Sequence, residues 1–284
     1  MENERVIDHS QRKHRTRFVL ILVAVLIFVV VVLAIVLGVT ASAKRSSFKN
    51  VVIKKCQTYL KENSNMAREN DCEIIWKAFE QAYVGRDPCD VPPQAYDPLI
   101  NSVKQHVVCN TMMFWSKTKD TVKAFADNRE CLVILEGTLL GFVFDELTWC
   151  SKNESKETFT TDCPSWSHCE NNPVRSFWNR ASVNFAATSC GNVSAMLNGS
   201  LEAPFSSTSV FGSVEVKNLD PSKVNSLTVL LVTKETDLTT CDNPSFHALQ
   251  NILDTKIAYK CRKVPYSKVE GCISDPEIPC SDCL

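Results

Sequence analysis

The chain has 284 residues, 44% of them hydrophobic and 22% charged, with a formal charge of −1 and only eight glycines. This balance excludes a strongly basic nucleic-acid binder and the collagen-like or Gly-rich linker classes. Fourteen cysteines are too many for a chain kept reduced in the cytosol, so disulfides in an oxidising compartment are expected. Residues 1–17 carry Arg5, Arg12, Lys13, Arg15 and Arg17 against Glu2, Glu4 and Asp8, and read as a cytoplasmic tail. Phe18 to Val39 follow without a single charge, and a bilayer core needs about 20 such residues. The run exceeds the roughly 7–15 residues of a cleaved signal core, so it reads as an uncleaved signal anchor despite Ala41-Ser42-Ala43. Both flanks are basic, so the positive-inside rule votes weakly. The cysteines and the sequons at Asn153, Asn192 and Asn198 decide instead, because all of them follow the span. The expectation is a single-pass type II protein of the plasma membrane, with residues 40–50 as stalk and 51–284 as extracellular domain. That domain carries about −3 charges, which gives no reason to expect an anionic polymer as partner.

Within residues 51–284 the first half reads helical. Val51 to Glu62 and Cys72 to Val84 have helical periodicity, and Asp71 stands where an N-cap would satisfy free amides. Asp87 to Pro98 reads as a loop, because four prolines forbid a regular element. Thr111 to Asn128 reads as another helix, carrying Phe114-Trp115-Ser116. Pro173 suits the first turn of a helix running to about Ser189. Beyond about Cys190 the character changes. Asn192 to Leu197, Gly212 to Val216, Ser226 to Thr233 and Ile257 to Cys261 are short and β-branched, as strands are. Pro244 to Asp254 is helical between the last two. The expected fold class is α+β to α/β: a helical subdomain to about residue 190, then a small parallel sheet flanked by helices.

The common chemical fingerprints are absent. No Gly-x-Gly pair, no Gly-x-Ser-x-Gly elbow and no His-Glu-x-x-His signature occurs, and no metal site is expected. Cys280-Ser-Asp-Cys283 has a redox or metal spacing, but plain disulfide pairing explains it more simply. What remains is acids beside aromatics. Glu136 in Ile134-Leu135-Glu136-Gly137-Thr138 is either a helix-surface residue or a functional acid in a pocket. On a strand, Ser213, Glu215 and Lys217 would share one face, ordinarily a solvated one. Asp145-Glu146 reads as a helix N-terminus before Leu147-Thr148-Trp149. Unaided, these residues support extracellular, carboxylate-based chemistry and nothing narrower.

Read together, several segments resemble the ADP-ribosyl cyclase / cyclic ADP-ribose hydrolase family, nearest its type II lymphocyte-surface branch. They are Phe114-Trp115-Ser116, Leu135-Glu136-Gly137-Thr138-Leu139-Leu140-Gly141, Asp145-Glu146-Leu147-Thr148-Trp149-Cys150, Asn171-Asn172-Pro173-Val174, Phe177-Trp178, Met196-Leu197-Asn198-Gly199-Ser200 and Phe211-Gly212-Ser213-Val214-Glu215-Val216. The resemblance implies an ecto-enzyme that cleaves the nicotinamide–ribose bond of NAD to give mainly ADP-ribose and some cyclic ADP-ribose. It also implies hydrolysis of cyclic ADP-ribose and a supply of calcium-mobilising messengers. NAD, NADP and cyclic ADP-ribose are then substrates, and no cofactor is needed. By resemblance Glu215 is the catalytic carboxylate, as electrostatic partner or as covalent nucleophile. Glu136 biases the outcome towards hydrolysis, and Cys109 and Cys190 are linked to that activity, although a structural staple is the simpler account. Trp115, Ser116, Lys117, Asp145, Trp178, Ser182 and Phe211 match substrate-binding positions.

Three departures stand out from the family pattern: Lys117 for Arg, Val210 for a hydroxyl residue, and Gly137 for Asp. The family's disulfides imply Cys56–Cys72, Cys89–Cys169, Cys109–Cys190, Cys150–Cys163, Cys241–Cys261, and Cys272 with Cys280 or Cys283. Cys131 and one tail cysteine are left over. A homodimer and a cell-surface protein ligand stay open, and the alternative function is a non-catalytic receptor on the same fold.

Overall fold

The computed structural model describes residues 23, 25–33, 48–127 and 131–283. The expected cytoplasmic tail, most of the anchor and residues 40–47 of the stalk lie outside the described residues. Residues 25–33 are helical, and among the described residues no helix is long and apolar enough to cross a membrane.

From Lys49 onward the chain forms one compact unit built on a four-stranded parallel sheet. The order is β1 (Met113–Ser116), β4 (Gly191–Asn198), β5 (Val224–Thr233), β6 (Ala258–Pro265). Trp115 pairs with Met196, Met196 with Leu230, and Leu230 with Arg262. β5 carries six aliphatic residues between Val224 and Val232 and is buried along nearly its whole length, as a central parallel strand covered on both faces must be. β2 (Cys150–Ser151) and β3 (Thr158–Phe159) form a separate small antiparallel pair.

Helices supply the rest. α1 covers residues 48–62 and α2 is Cys72–Tyr83, where the Asp71 carboxylate accepts from the amides of Glu73 and Ile74 as the N-cap pattern predicts. α3 (Asp97–Asn101), α4 (Lys119–Ala126), α5 (Leu139–Phe144), α6 (Pro173–Thr188), α7 (Ser245–Ile252), α8 (Tyr266–Ser274) and α9 (Cys280–Cys283) follow in order. α6 opens with Asn172, whose side chain accepts from the Arg175 amide and donates to the Cys169 carbonyl, and Pro173 takes the first helical position.

Phe79 on α2 is fully buried and meets the rings of Trp76, Tyr83, Tyr96, Phe144 and Trp149. Phe144 in turn packs edge-on against Phe177 of α6. Inside this cluster Trp149 Nε1 donates to Tyr96 Oη at 2.9 Å, and that hydroxyl donates to the Pro173 carbonyl at 2.9 Å. The aromatic cluster thus fixes α6 against α2 and α5.

All fourteen cysteines are paired, in seven disulfides. The five fully specified pairs occur as the resemblance implies. Cys272 takes Cys283, and the leftover Cys131 takes Cys280, which stitches the tail to the segment after α4.

Four local expectations are corrected. Thr111 to Asn128 is not one helix: among its described residues Met113–Ser116 is the edge strand β1, and only Lys119–Ala126 is helical. Four residues are too few to show a period of two beside a longer helical pattern, and pairing with β4 decides their conformation. Gly212 to Val216 is not a strand: Phe211–Glu215 is a single π-helical turn that buries Phe211, Gly212 and Glu215 together. The Pro-rich segment holds a 3-10 turn at Pro93–Tyr96 and the start of α3, because Pro93 and Pro98 both sit in first turns, where the missing amide costs nothing. Asp145 caps the C-terminus of α5 and does not begin a helix.

Gly141 shows how tightly α5 abuts the turn Leu135–Gly137. A Cβ there would overlap the Leu135 carbonyl and the Glu136 Cα, both of them backbone atoms that cannot swing aside. Gly141→Ala should therefore lower the melting temperature by several degrees and displace the turn that carries Glu136, checked by calorimetry and activity together.

Candidate active site

A cavity of about 750 Å³ opens beside the carboxyl end of β1. β1 supplies Trp115 and Ser116, with Lys117 next in a left-handed conformation (φ 59°). The turn Leu135–Gly137 supplies Glu136, α6 supplies Trp178 and Ser182, and the π-helical turn supplies Phe211 and Glu215. Trp178 and Ser182 are four residues apart and so share one face of α6. Phe211 and Glu215, four residues apart on the π-helical turn, are both buried and both line the cavity.

Glu215 is only 7% exposed and accepts a 2.9 Å hydrogen bond from Ser182 Oγ, itself 2% exposed. Burial pushes the Glu215 carboxyl up to about 8; the Ser182 hydrogen bond opposes this and the Glu136 charge adds to it. Glu136 is half-buried and accepts from Trp115 Nε1 at 3.1 Å, and its carboxyl is also raised, chiefly by burial. Its turn is braced from three sides. Thr138 Oγ1 donates to the Leu135 carbonyl at 2.7 Å, the same oxygen accepts from the Gly141 amide, and Tyr59 Oη of α1 donates to the Gly137 carbonyl at 3.1 Å.

Asp145 is nearly buried on the cavity wall, and each of its carboxylate oxygens takes an ammonium: Lys119 Nζ on Oδ1 at 3.1 Å and Lys123 Nζ on Oδ2 at 2.6 Å. Burial raises this carboxyl, but the two lysines outweigh burial and hold it below the ordinary aspartate range. Glu215 and Glu136 displaced upward and Asp145 displaced downward, gathered in one cleft beside two half-buried tryptophans, make this cavity the candidate site.

All the expected substrate-binding residues line this one cavity, together with Glu136 and Glu215. The departures Lys117 and Val210 line it too. Cys109–Cys190 does not: the disulfide ties the chain just before β1 to the chain just before β4, outside the cavity lining. Asn153 is exposed in a turn after β2, Asn192 is exposed on β4, and Asn198 is half-buried at the end of β4. Among the described residues no cluster of His, Cys, Asp or Glu could hold a metal ion.

Sequence reasoning missed three lining residues of chemical weight. Trp166 is 43% exposed in the irregular loop between Cys163 and Cys169, where no periodicity marks it. Arg175 lies in the first turn of α6, paired with Glu170 at 3.5 Å. Lys119 lines the cleft, and its i, i+4 spacing with Lys123 was a legible signal of a shared helix face.

A family model described as ADP-ribosyl cyclase matches residues 45–281. The chain belongs to this family. It is 36% identical over 238 residues to ADP-ribosyl cyclase/cyclic ADP-ribose hydrolase 1 of Rattus norvegicus, covering 82% of this chain and 78% of the relative. To ADP-ribosyl cyclase/cyclic ADP-ribose hydrolase 2 of Homo sapiens it is 31% identical, covering 75% of this chain and 68% of the relative. Porcine CD38, solved with a covalent intermediate, ribo-F-ribose-5'-phosphate, superimposes with a TM-score of 0.72 at 37% identity, covering 77% of this chain and 96% of that one. The cavity thus sits in an ADP-ribosyl cyclase fold of helices and a parallel sheet held by seven disulfides.

Proposed function

We infer that this ADP-ribosyl cyclase cleaves the nicotinamide–ribose bond of NAD, with Glu215 as the carboxylate that meets the ribosyl carbon. The carrying observation is Glu215 itself: a carboxylate buried on a cavity wall and oriented by Ser182. Such a group costs stability, which a scaffold residue would not need to impose. As the C–N bond lengthens, the ribose carbon gains oxocarbenium character, and a fixed carboxylate in a water-poor cavity stabilises the developing charge. The pyridinium nitrogen is already cationic, so nicotinamide departs neutral and no strong general acid is required. The half-buried faces of Trp115 and Trp178 suit that cationic ring and the flat faces of the bound nucleotide.

Burial raises the Glu215 carboxyl to about 8, which favours its protonated form at neutral pH until substrate binds. The cationic nicotinamide ring of the substrate draws the proton off, since an opposite charge nearby favours the ionised form. Water then takes the ribosyl intermediate to give ADP-ribose, or the adenine nitrogen takes it to give cyclic ADP-ribose. Glu136, held by the Trp115 indole, is the residue assigned to favour water. The same site accepts NADP and reopens cyclic ADP-ribose. The apolar run at Phe18–Val39 and the three sequons support a glycosylated type II protein at the plasma membrane, its catalytic domain outside the cell.

Chromatography of NAD incubated with the full chain in detergent tests this reading. Nicotinamide should appear with ADP-ribose as the main partner product and cyclic ADP-ribose as the lesser one. A folded chain that leaves NAD intact would sink it.

A further inference from the structure

Asp145 is held at more points than a substrate contact alone requires. On α4, Lys119 and Lys123 lie one turn apart and divide the carboxylate between them, one oxygen each. From α1, Lys55 Nζ donates to the Asp145 backbone carbonyl at 2.7 Å, while its charge lies 5.7 Å from the Phe142 ring of α5. The Asp145 amide donates to the Gly141 carbonyl at 2.8 Å, closing the end of α5. The charged groups facing Asp145 are therefore Lys55 from α1, Lys119 and Lys123 from α4, its neighbour Glu146 (3.5 Å from Lys123 Nζ), and Glu136 near it in the cleft. Lys119 also lines the cleft, whereas Lys123 does not touch it.

We propose that Lys123 is a positioning residue: it fixes the Asp145 carboxylate at the cavity wall and keeps it ionised for a carboxamide donor on the substrate. This rests on the NAD-cleaving reading above. An exposed ion pair would contribute little, but here one partner is nearly buried and faces the cavity, so its charge state decides what the wall can bind. Ionised and locked, Asp145 presents only acceptors, which suits the two N–H donors of a nicotinamide carboxamide. Protonated, it loses an acceptor and its fixed orientation. The two lysines oppose the upward pull of burial on Asp145, and without Lys123 that pull would act with only Lys119 against it.

The test is the pH dependence of KM and kcat for NAD in the full chain, its Lys123→Met and Lys123→Gln variants, and Lys123→Arg. Glu215 and Glu136 titrate in every form, so the readout is each variant's KM divided by the parent's at the same pH. In Lys123→Met and Lys123→Gln that ratio should rise about tenfold between pH 7.5 and pH 5, with the kcat ratio falling far less. Lys123→Arg should hold the ratio within about twofold, because a guanidinium keeps the charge and the donor. A merely structural role would lower the melting temperature at every pH without tilting KM. KM profiles that superimpose on the parent in both neutral variants would overturn the proposal. A parent that releases no nicotinamide would overturn the functional reading beneath it, and the proposal with it.

Discussion

Replacing Glu215 by Gln is expected to leave a protein that melts at a higher temperature and is nearly inactive. Nicotinamide release should fall by about 10³-fold or more, because an amide cannot neutralise a developing cation as a carboxylate does. The stability gain follows from linkage. The folded carboxyl titrates at about 8, against 4.5 for an ordinary glutamate. Folding therefore favours its neutral form, and that contribution is complete below about pH 4.5 and lost as pH rises through about 8. Gln is neutral at every pH and still accepts from Ser182 Oγ. The melting temperature of Glu215→Gln should match the parent near pH 5, exceed it by roughly 5 °C at pH 8, and hold that lead above. Calorimetry across pH checks the sign: a variant less stable than the parent at pH 8 would mean that Glu215 is not a strained, buried acid.

The largest structural effect is expected at Phe79. Its ring stacks on Phe144 at 4.3 Å and meets four other aromatic rings, with no solvent exposure. Truncation leaves a cavity among rigid rings, including the hydrogen-bonded Trp149–Tyr96 pair, which cannot collapse into the space. Phe79→Ala should cost about 3–5 kcal/mol, read from the denaturant midpoint with disulfides intact. Because this cluster seats α6, and α6 carries Trp178 and Ser182, activity should disappear at temperatures well below the parent's melting point. A loss under 1 kcal/mol would show that the cluster does not seat α6.

The readable parts of the fold were those with long, self-consistent patterns. β4, β5, α6 and α7 are each eight residues or longer, and Asp71 and Pro173 mark the starts of α2 and α6 by chemistry that needs no tertiary partner. β1 failed because four residues show no period, and its strand state comes from hydrogen bonding to β4 about 80 residues later. The π-helical turn failed for a related reason. Val214-Glu215-Val216 alternates as a strand would, yet Gly212 lies so close to the Ser206 carbonyl that no side chain fits, and the close contact holds the turn.

The site divides along the same line. Glu215, Glu136, Trp115 and Trp178 were named through resemblance, and only the fold brings them to one cavity from β1, the turn Leu135–Gly137, α6 and the π-helical turn. From the residues alone, Glu215 read as an ordinary solvated position. Its burial depends on Ser182 and Phe211, which no local pattern links. The lysines around Asp145 were missed because their contacts span 22, 26 and 90 residues of sequence.

In the proposed reaction Glu215, and not Glu136, carries bond cleavage. Single-turnover nicotinamide release from NAD, measured side by side in Glu215→Gln and Glu136→Gln, tests it most directly. The prediction is a loss of about 10³-fold or more in the first, and less than about tenfold in the second, with a larger cyclic ADP-ribose share there. Rapid release from folded Glu215→Gln, or a larger loss in Glu136→Gln, would contradict it.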